Sequence, residues 1–375
     1  MKNSLTIMKI SGIKIRLHIS WLLVLAILTY ALATNFYPIR YEFDTVTNWL
    51  LGGASAILLF VSVLIHELAH SIIAQSHKLG VRSITLFFFG GLANIESDPE
   101  KPIAEFRISI GGPLASLGLG ILFYILYIAN LGTYFTPMFD YLSKVNFILA
   151  IFNMIPAFPL DGGRIFRSIL WAYMEDLKKA TRIASNSGKI FGSLLVALGI
   201  VLFPGGMWFI LLGLFLMFLA ESGYKQVLMK FALDKINIKD LVHERPLIDP
   251  EWTIDEFLKW CRKENVLSGI ATKNGEYFKI DLNNLPPINK KTTEPQLVKS
   301  LMTKITPIKV EDYEPFQLFK EMQNNNISIM PVVENDNYIG VISTDAMNKF
   351  IKIESIQETL PDAPKSEATI KTNGN

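Results

Sequence analysis

The chain has 375 residues, 50% of them hydrophobic, and a formal net charge of +2 at pH 7. A charge this small offers no electrostatic basis for nucleic-acid binding, so no nucleic-acid partner is expected. The single cysteine, Cys261, excludes an intramolecular disulfide and a thiolate zinc site, so a bound metal would need His, Asp or Glu ligands.

Long apolar segments before Tyr224 predict a mostly α-helical, polytopic membrane domain. The first segment follows a basic stretch that has no clear cleavage site, so we expect a retained membrane helix. Prolines interrupt the fourth segment, and Pro204-Gly205-Gly206 indicates a tight turn between the last two. About six spans are predicted: Ile19–Ala33, Leu51–Ile73, Ile108–Ile128, Val145–Phe158, Ile190–Phe203 and Met207–Ala220.

Basic residues concentrate on one side of this predicted topology. If the N-terminus is cytoplasmic, the outer loops hold little beyond Arg40 and Lys144. The positive-inside rule then places both termini in the cytoplasm, and six spans without targeting signals suit a prokaryotic plasma membrane. The basic residues of the inner segments are Lys78, Arg82, Lys101, Arg107, Arg164, Arg167, Lys178, Lys179 and Arg182.

The segment between the second and third spans predicts β-structure. Residues 82–96 are rich in β-branched and aromatic side chains and are broken by Gly90-Gly91, which predicts two short strands. Two placements of these strands remain open. They form a hairpin on the cytoplasmic membrane surface, or they lie at membrane depth, where they must be buried in protein or line a cavity.

The second span ends in His66-Glu67-Leu68-Ala69-His70. Because residues four apart share a helix face, the two imidazoles can bind one metal, and Glu67 can take a proton from a water molecule there. The alternative is a polar helix end near the membrane surface. An ionisable residue at the centre of a span costs roughly 2.5–3.5 kcal/mol, which favours a functional role.

Asp161 is the predicted third ligand of this metal. It follows an apolar segment that begins at Asn153 and contains Pro156 and Pro159, so the backbone is expected to leave the helix here and direct the carboxylate inward. A catalytic zinc takes three protein ligands and keeps a fourth position for water. The alternative is a loop aspartate that pairs with Arg164.

The two motifs, their order and the number of spans resemble those of the site-2 protease family of intramembrane metalloproteases. The match includes the pattern Asn-x-x-Pro-x-x-Pro-Leu-Asp-Gly-Gly. The resemblance implies that His66, His70 and Asp161 bind one Zn²⁺ ion. It further implies that Glu67 is the catalytic base and that Asn153 lies near the active site, where it contacts substrate or the developing oxyanion.

The family resemblance also implies a substrate and a reaction, the hydrolysis of a peptide bond in or near a transmembrane segment of a protein within the lipid bilayer. A substrate helix must unwind before cleavage, because its carbonyls are engaged in internal hydrogen bonds. We expect an exposed strand edge from Ile84–Ile95 to pair with the unwound substrate by β-augmentation. The third span carries Gly111-Gly112-Pro113, which resembles a Gly-Pro feature of the family that we attribute to packing.

The sequence becomes polar from about Asp234 and contains two similar stretches about 60 residues apart. Each combines an amphipathic helix, one with Phe257 and the other with Leu318, with paired strands. This order is similar to that of a pair of cystathionine-β-synthase (CBS) domains, which implies a cytoplasmic α/β regulatory module. The predicted organisation is a metalloprotease domain at 1–223, a linker at 224–235, CBS repeats at 236–290 and 291–355, and a disordered tail at 356–375.

The resemblance to CBS pairs leaves the ligand of this module open. The acidic residue expected to hold ribose hydroxyls six positions after Gly340 is Ala346 here, and Asp345 lies one position early. The first copy has Phe278 in place of the glycine. The pair therefore either binds an adenine nucleotide or has a structural or dimerising role. A dimerising role would make the chain a homodimer. We expect it to modulate access to the protease from the cytoplasmic side.

Three other classes of protein share parts of this pattern. Membrane transport proteins also combine spans with CBS pairs, but they do not need the His-Glu-x-x-His motif with a distant aspartate. A catalytically inactive scaffold would not need all the candidate ligands and the base that are present. Another membrane zinc peptidase, such as a prenyl-protein peptidase, would place a glutamate on a helix as third ligand, whereas Asp161 follows a proline-rich segment.

Overall fold

The computed structural model describes residues 4–88, 90–95, 98–282, 297–335 and 337–357. The chain divides into two compact units, Met1–Lys225 and Gln226–Asn375. Helices form most of the first unit, and two small sheets with flanking helices form the second. The structure therefore confirms a mostly helical domain followed by an α/β module.

Apolar helices dominate the first unit. Its elements are α1 (Ser20–Ala31), a π-helical turn (Leu32–Phe36), α2 (Tyr37–Arg40), α3 (Thr45–Ser76), α4 (Pro102–Ile128), α5 (Phe135–Asn153), α6 (Asp161–Met174), α7 (Leu177–Val201) and α8 (Met207–Leu233). Within the described ranges, five helices are long and apolar enough to cross a membrane: Ser20–Arg40, Thr45–Ser76, Pro102–Ile128, Leu177–Val201 and Met207–Leu233.

The fourth predicted span, Val145–Phe158, is corrected by the structure. Helix α5 ends at Asn153, and although its 19 residues are long enough, its sequence is less apolar than those of the five helices named above. It contains Asp140 and Lys144, whose charged groups pair at 2.7 Å. Buried residues such as Leu142 line one side of α5, so it lies among other helices and does not need an entirely apolar surface.

A four-stranded sheet accompanies the helices of the first unit. It contains β1 (Ser4–Ile10), β2 (Ile13–His18), β3 (Val81–Phe87) and β4 (Gly90–Ile95), in the order β1-β2-β3-β4. Strands β2 and β3 are parallel, and the other neighbours are antiparallel. The two strands predicted between the second and third spans are confirmed. The N-terminal pair was not predicted, and β3 lies inside the sheet while β4 forms an edge.

The sheet packs against the helices that carry the candidate metal ligands. Ile13 and Ile15 of β2 and Ile84 of β3 are completely or almost completely buried. They form one apolar cluster with Ala74 of α3 and Ile108 of α4. This burial stabilises the sheet against the same end of α3 at which the second predicted span terminates.

The second unit contains the two predicted repeats. Its elements are a 3₁₀ turn (Ile238–Leu241), α9 (Ile254–Glu264), β5 (Ser268–Lys273), β6 (Glu276–Asp281), β7 (Thr303–Ile305), β8 (Ile308–Lys309), α10 (Pro315–Asn324), β9 (Ile329–Glu334), β10 (Asn337–Ser343) and α11 (Thr344–Gln357). They form two three-stranded sheets, in the orders β5-β6-β7 and β10-β9-β8. The predicted tandem α/β organisation is thus confirmed.

Each repeat buries the apolar face of one helix. Helix α9 buries Phe257 and Cys261, and α10 buries Leu318 and Met322. A capping box formed by Thr253 and its partner three residues later satisfies the first backbone groups of α9. These amphipathic helices give the second unit its own hydrophobic core.

Two predicted boundaries change in the structure. The residues predicted as a linker, 224–235, continue helix α8 as far as Leu233, because no proline or glycine interrupts them. Leu233 is fully buried in the core of the second unit. Most of the predicted disordered tail, residues 358–375, lies outside the described residues, and α11 extends to Gln357.

Candidate metal centre

Three predicted ligands converge at one point of the first unit. The Nε2 atoms of His66 and His70 lie 3.2 Å apart, and each lies 3.2 Å from Oδ2 of Asp161. All three side chains are largely buried. Helix α3 supplies the two imidazoles and α6 supplies the carboxylate, although 91 residues separate His70 from Asp161 in the sequence.

The triangle of ligand atoms has the dimensions of a zinc site. Zinc binds imidazole nitrogen and carboxylate oxygen at about 2.0–2.2 Å, so two tetrahedral ligands are roughly 3.3 Å apart. The three separations of 3.2 Å match this value. Three protein ligands leave the fourth tetrahedral position open, as in catalytic zinc sites.

Helix α4 holds the outer nitrogen of each imidazole. Nδ1 of His70 donates to the carbonyl oxygen of Ile108 at 2.6 Å, and Nδ1 of His66 lies 2.9 Å from Oγ of Ser116. A carbonyl oxygen can only accept, so Nδ1 of a neutral His70 carries the proton and the Nε2 lone pair faces Asp161. The lone pairs and the carboxylate charge at the centre repel one another unless a cation lies between them, so these residues fit a metal ion.

Gly112 of α4 borders the same space. A Cβ atom at this position would lie 2.2 Å from Nε2 of His70 and 2.5 Å from Nε2 of His66. At the neighbouring Gly111, a Cβ atom would instead meet Ile73 at 2.4 Å. Packing between helices therefore explains Gly111, whereas Gly112 keeps the space beside both metal-facing nitrogens free.

A tight turn directs Asp161 toward the imidazoles. Residues 154–160 leave the helical path, as predicted, and Asp161 is the first residue of α6. A Cβ atom at Gly162 would lie 2.3 Å from the backbone of Met154, so the turn packs directly on the first turn of α6. A carboxylate is favoured at a helix N-terminus by the helix dipole.

The alternative pairing of Asp161 with Arg164 is not what the structure contains. The polar partners of the Asp161 carboxylate are the two imidazoles. Nε of Arg164 lies instead 4.0 Å from Oε1 of Glu105.

Glu67 directly follows His66 on α3 and is half-buried. Strand β4 passes beside it. A Cβ atom on Gly91 would lie 2.3 Å from Cγ and 3.2 Å from Oε1 of Glu67, so only glycine permits this approach. An edge strand and a carboxylate that can accept a proton thus adjoin the metal centre.

Asn153 is not part of the converging group. It ends helix α5, and its side-chain amide donates to the carbonyl of Leu149 at 3.0 Å. The sequence interpretation also missed Ser116 and Ile108, and it attributed Gly112 to packing. The available signal was a serine one turn after Gly112, but its partner could not be identified without the packing of α4 on α3.

Comparisons with known proteins identify metalloprotease relatives for the part of the chain that contains the apolar helices. Peptidase family M50 matches residues 54–138 and 128–198. Zinc metalloprotease MJ0392 from Methanocaldococcus jannaschii is 32% identical over 370 residues, which cover 96% of this chain and 100% of the relative. The solved site-2 protease from Methanocaldococcus jannaschii is 33% identical, covers 58% of this chain and 94% of its own, and superposes with a TM-score of 0.41.

The second unit has a separate similarity. The CBS domain of the bacterial CNNM/CorC family Mg²⁺ transporter is 14% identical and covers 35% of this chain and 87% of its own. The TM-score of that comparison is 0.29.

Gly112→Ala should lower zinc affinity at least tenfold, because the added methyl group would push against both metal-facing nitrogens. Gly118→Ala on the same helix is the matched control, since a Cβ atom there meets nothing within 4 Å. Both substitutions favour the helix to a similar extent. Zinc affinity is measured by competition with a chelator in detergent solution. Equal affinity in the two variants would contradict the placement of Gly112.

Proposed function

The chain belongs to peptidase family M50, and on that premise we propose that it cuts a peptide bond in or near a transmembrane segment of a membrane-protein substrate. The observation that supports this proposal is the 3.2 Å triangle of His66, His70 and Asp161. These ligand atoms lie inside a unit built from helices that are apolar enough to cross a membrane. A peptide bond reaches the open coordination position only within that unit.

The proposed roles follow from the donor set. His66, His70 and Asp161 would hold one Zn²⁺ ion, which supplies Lewis acidity that polarises a carbonyl and acidifies water. Glu67 accepts the proton of the attacking water and delivers it to the leaving nitrogen. Asn153 is proposed to contact the substrate, for which its amide must exchange its bond to Leu149.

The proposed substrate-binding element is the free edge of β4. An unwound substrate segment can add to this edge as a further strand, with main-chain hydrogen bonds to β4. Gly91 of β4 adjoins Glu67, so a peptide on this edge would lie near the proposed base. Strand β3 cannot serve this purpose, because β2 and β4 occupy both of its sides.

We propose that both termini lie in the cytoplasm of a prokaryotic plasma membrane. This topology needs α5 as a sixth crossing in addition to the five apolar helices. The 19 residues of α5 span about 29 Å, close to the thickness of the hydrocarbon core. The pairing of Asp140 with Lys144 reduces the cost of placing these charges in the membrane.

The second unit is proposed to regulate access to the protease. It contains a cavity of about 1080 Å³ lined by residues of both repeats, among them Asp240, Arg245, Asp281 and Ala346. Burial lowers the pKa of the Arg245 guanidinium, which donates to the carbonyl of Ser268. The proposed ligand is an adenine nucleotide, bound weakly because no carboxylate stands at position 346. Pairing of two copies through this unit is the alternative use of the repeats.

Glu67→Gln should retain zinc but lose cleavage by about 10²–10⁴-fold, since the amide cannot accept the proton. Asp161→Ala should lose zinc as well, with an affinity lowered by more than about 100-fold, because a direct ligand is missing. Bound zinc and cleavage of a model transmembrane peptide are measured in proteoliposomes for both variants. Cleavage by Glu67→Gln at the rate of the unaltered protein would exclude the proposed base.

Proline substitutions at Leu92, Ala93 and Asn94 of β4 should leave zinc bound. Cleavage should slow only in those variants in which the lost N–H group faces the free edge, and these alternate along the strand. The reason is that successive backbone N–H groups point alternately toward β3 and toward the free edge. Proline at Ile7 of β1, the opposite edge of the sheet, is the matched control. Unchanged cleavage in all three β4 variants would reject substrate pairing with this edge.

Ala346→Asp should raise nucleotide affinity about tenfold, because the new carboxylate can accept hydrogen bonds from ribose hydroxyls. Asp345→Asn is the control and should leave the affinity unchanged. Calorimetric titration of the full chain with ATP, ADP and AMP measures both. If neither the unaltered chain nor the Ala346→Asp variant binds any of them, and cleavage is insensitive to all three, the nucleotide proposal is wrong.

A further inference from the structure

A buried ion pair lies beside the metal centre and takes no part in the proposed chemistry. Glu105 of α4 is 1% exposed. Nε of Arg167, on α6, donates to Oε1 of Glu105 at 2.8 Å, and a second guanidinium nitrogen of Arg167 donates to the same oxygen. The side chain of Arg167 is 13% exposed, so the pair is largely removed from solvent.

Stability alone does not account for such a pair. Taking two charges out of water is costly, and well-packed apolar residues in their place are often neutral or stabilising. An ionisable group within a membrane helix is a candidate for function by default. Glu105 lies in one of the five apolar helices, so the question is what its pairing with Arg167 achieves.

The pair connects the helix of the third ligand to the helix that orients the other two. One turn after Glu105, the carbonyl of Ile108 holds the His70 ring, and Ser116 farther along α4 contacts the His66 ring. Arg167 lies on the same helix as Asp161. Helix α4 therefore contacts the elements that position all three ligands. It binds both imidazoles directly, and through Glu105 it binds the helix that carries the Asp161 carboxylate.

Arg167 also holds the chain on the other side of Asp161. Its guanidinium lies 5.1 Å from the centroid of the Phe158 ring, in cation–π geometry. Phe158 is enclosed by glycines: a Cβ atom would lie 1.9 Å from its carbonyl oxygen at Gly188 and 2.3 Å from its ring at Gly223. The Arg167 guanidinium, which belongs to the helix after Asp161, thus also contacts Phe158 in the segment before Asp161.

We propose that the Glu105–Arg167 pair is a positioning device that sets the Asp161 carboxylate at the correct distance from His66 and His70. The inference rests on the proposed role of Asp161 as a zinc ligand. Neither Glu105 nor Arg167 touches the ligand atoms, so both act through the placement of α6. Small displacements of a supporting residue are sufficient to weaken a metal site.

The test separates positioning from stability with single and double substitutions. Arg167→Met leaves Glu105 with only its longer contact to Arg164 at 4.0 Å, and Glu105→Met leaves the Arg167 guanidinium without its carboxylate partner. Each single substitution should therefore lower the thermal midpoint of the zinc-free protein. The double variant removes both charges and should recover that midpoint. Its zinc affinity should nevertheless remain about 10–100-fold below that of the unaltered chain, measured by chelator competition.

Cobalt provides a second measurement at the same site. The visible absorption of Co²⁺ bound to the double variant should differ in position and intensity from that of the unaltered chain, because the ligand geometry changes. The matched control is the double substitution Asp140→Met with Lys144→Met, which removes the ion pair of α5. This control should leave zinc affinity and the cobalt spectrum unchanged.

Two results would overturn the proposal in distinguishable ways. If the Glu105–Arg167 double variant keeps the zinc affinity and cobalt spectrum of the unaltered chain while Asp161→Ala loses zinc, the pair has a structural role only and the ligand assignment stands. If Asp161→Ala itself keeps full zinc affinity, the ligand assignment fails and the positioning role fails with it.

Discussion

The main constraint on the first unit is the convergence of three buried electron-pair donors, which repel one another unless a cation lies between them. Two imidazole nitrogens and one carboxylate oxygen lie 3.2 Å from one another in a largely buried space. Without a positive charge between them, this arrangement would be unfavourable. The adjoining features all maintain it: the outer hydrogen bonds from α4, the missing side chain at Gly112 and the start of α6 at Asp161.

Some polar groups within the helices of this unit pair with one another, whereas the buried hydroxyls of Ser71 and Ser109 have no hydrogen-bond partner in the structure. The Tyr37 hydroxyl lies 2.6 Å from Oγ of Ser55, and the Asn146 amide donates to Ser62. Lipid offers no hydrogen bonds, so pairing within the chain lowers the cost of burying these groups. The Glu105–Arg167 pair is a charged example of the same pairing inside the unit.

The second unit is stabilised differently, by separate small hydrophobic cores. Each repeat has one amphipathic helix, with Phe257 and Leu318 fully buried in corresponding positions, and β7 of the second predicted repeat completes the three-stranded sheet of the first. The cavity between secondary-structure elements of both repeats has a mixed lining, with apolar side chains such as Leu258 and Ile353 beside charged ones such as Asp240 and Arg245. Small-molecule sites commonly combine an apolar lining with a few polar groups.

Local geometry explains which features the sequence alone determined. The spacing of His66 and His70 orients both rings on one helix face. Pro156 and Pro159 prevent the preceding helix from continuing, whatever the tertiary context. Helical periodicity likewise identified the two repeats of the second unit. The tertiary structure alone decided that Asp161 meets the imidazoles, that β4 is an edge strand of the sheet and that the N-terminal residues pair as strands. These features depend on contacts between residues far apart in the chain, for which no periodicity in the sequence exists.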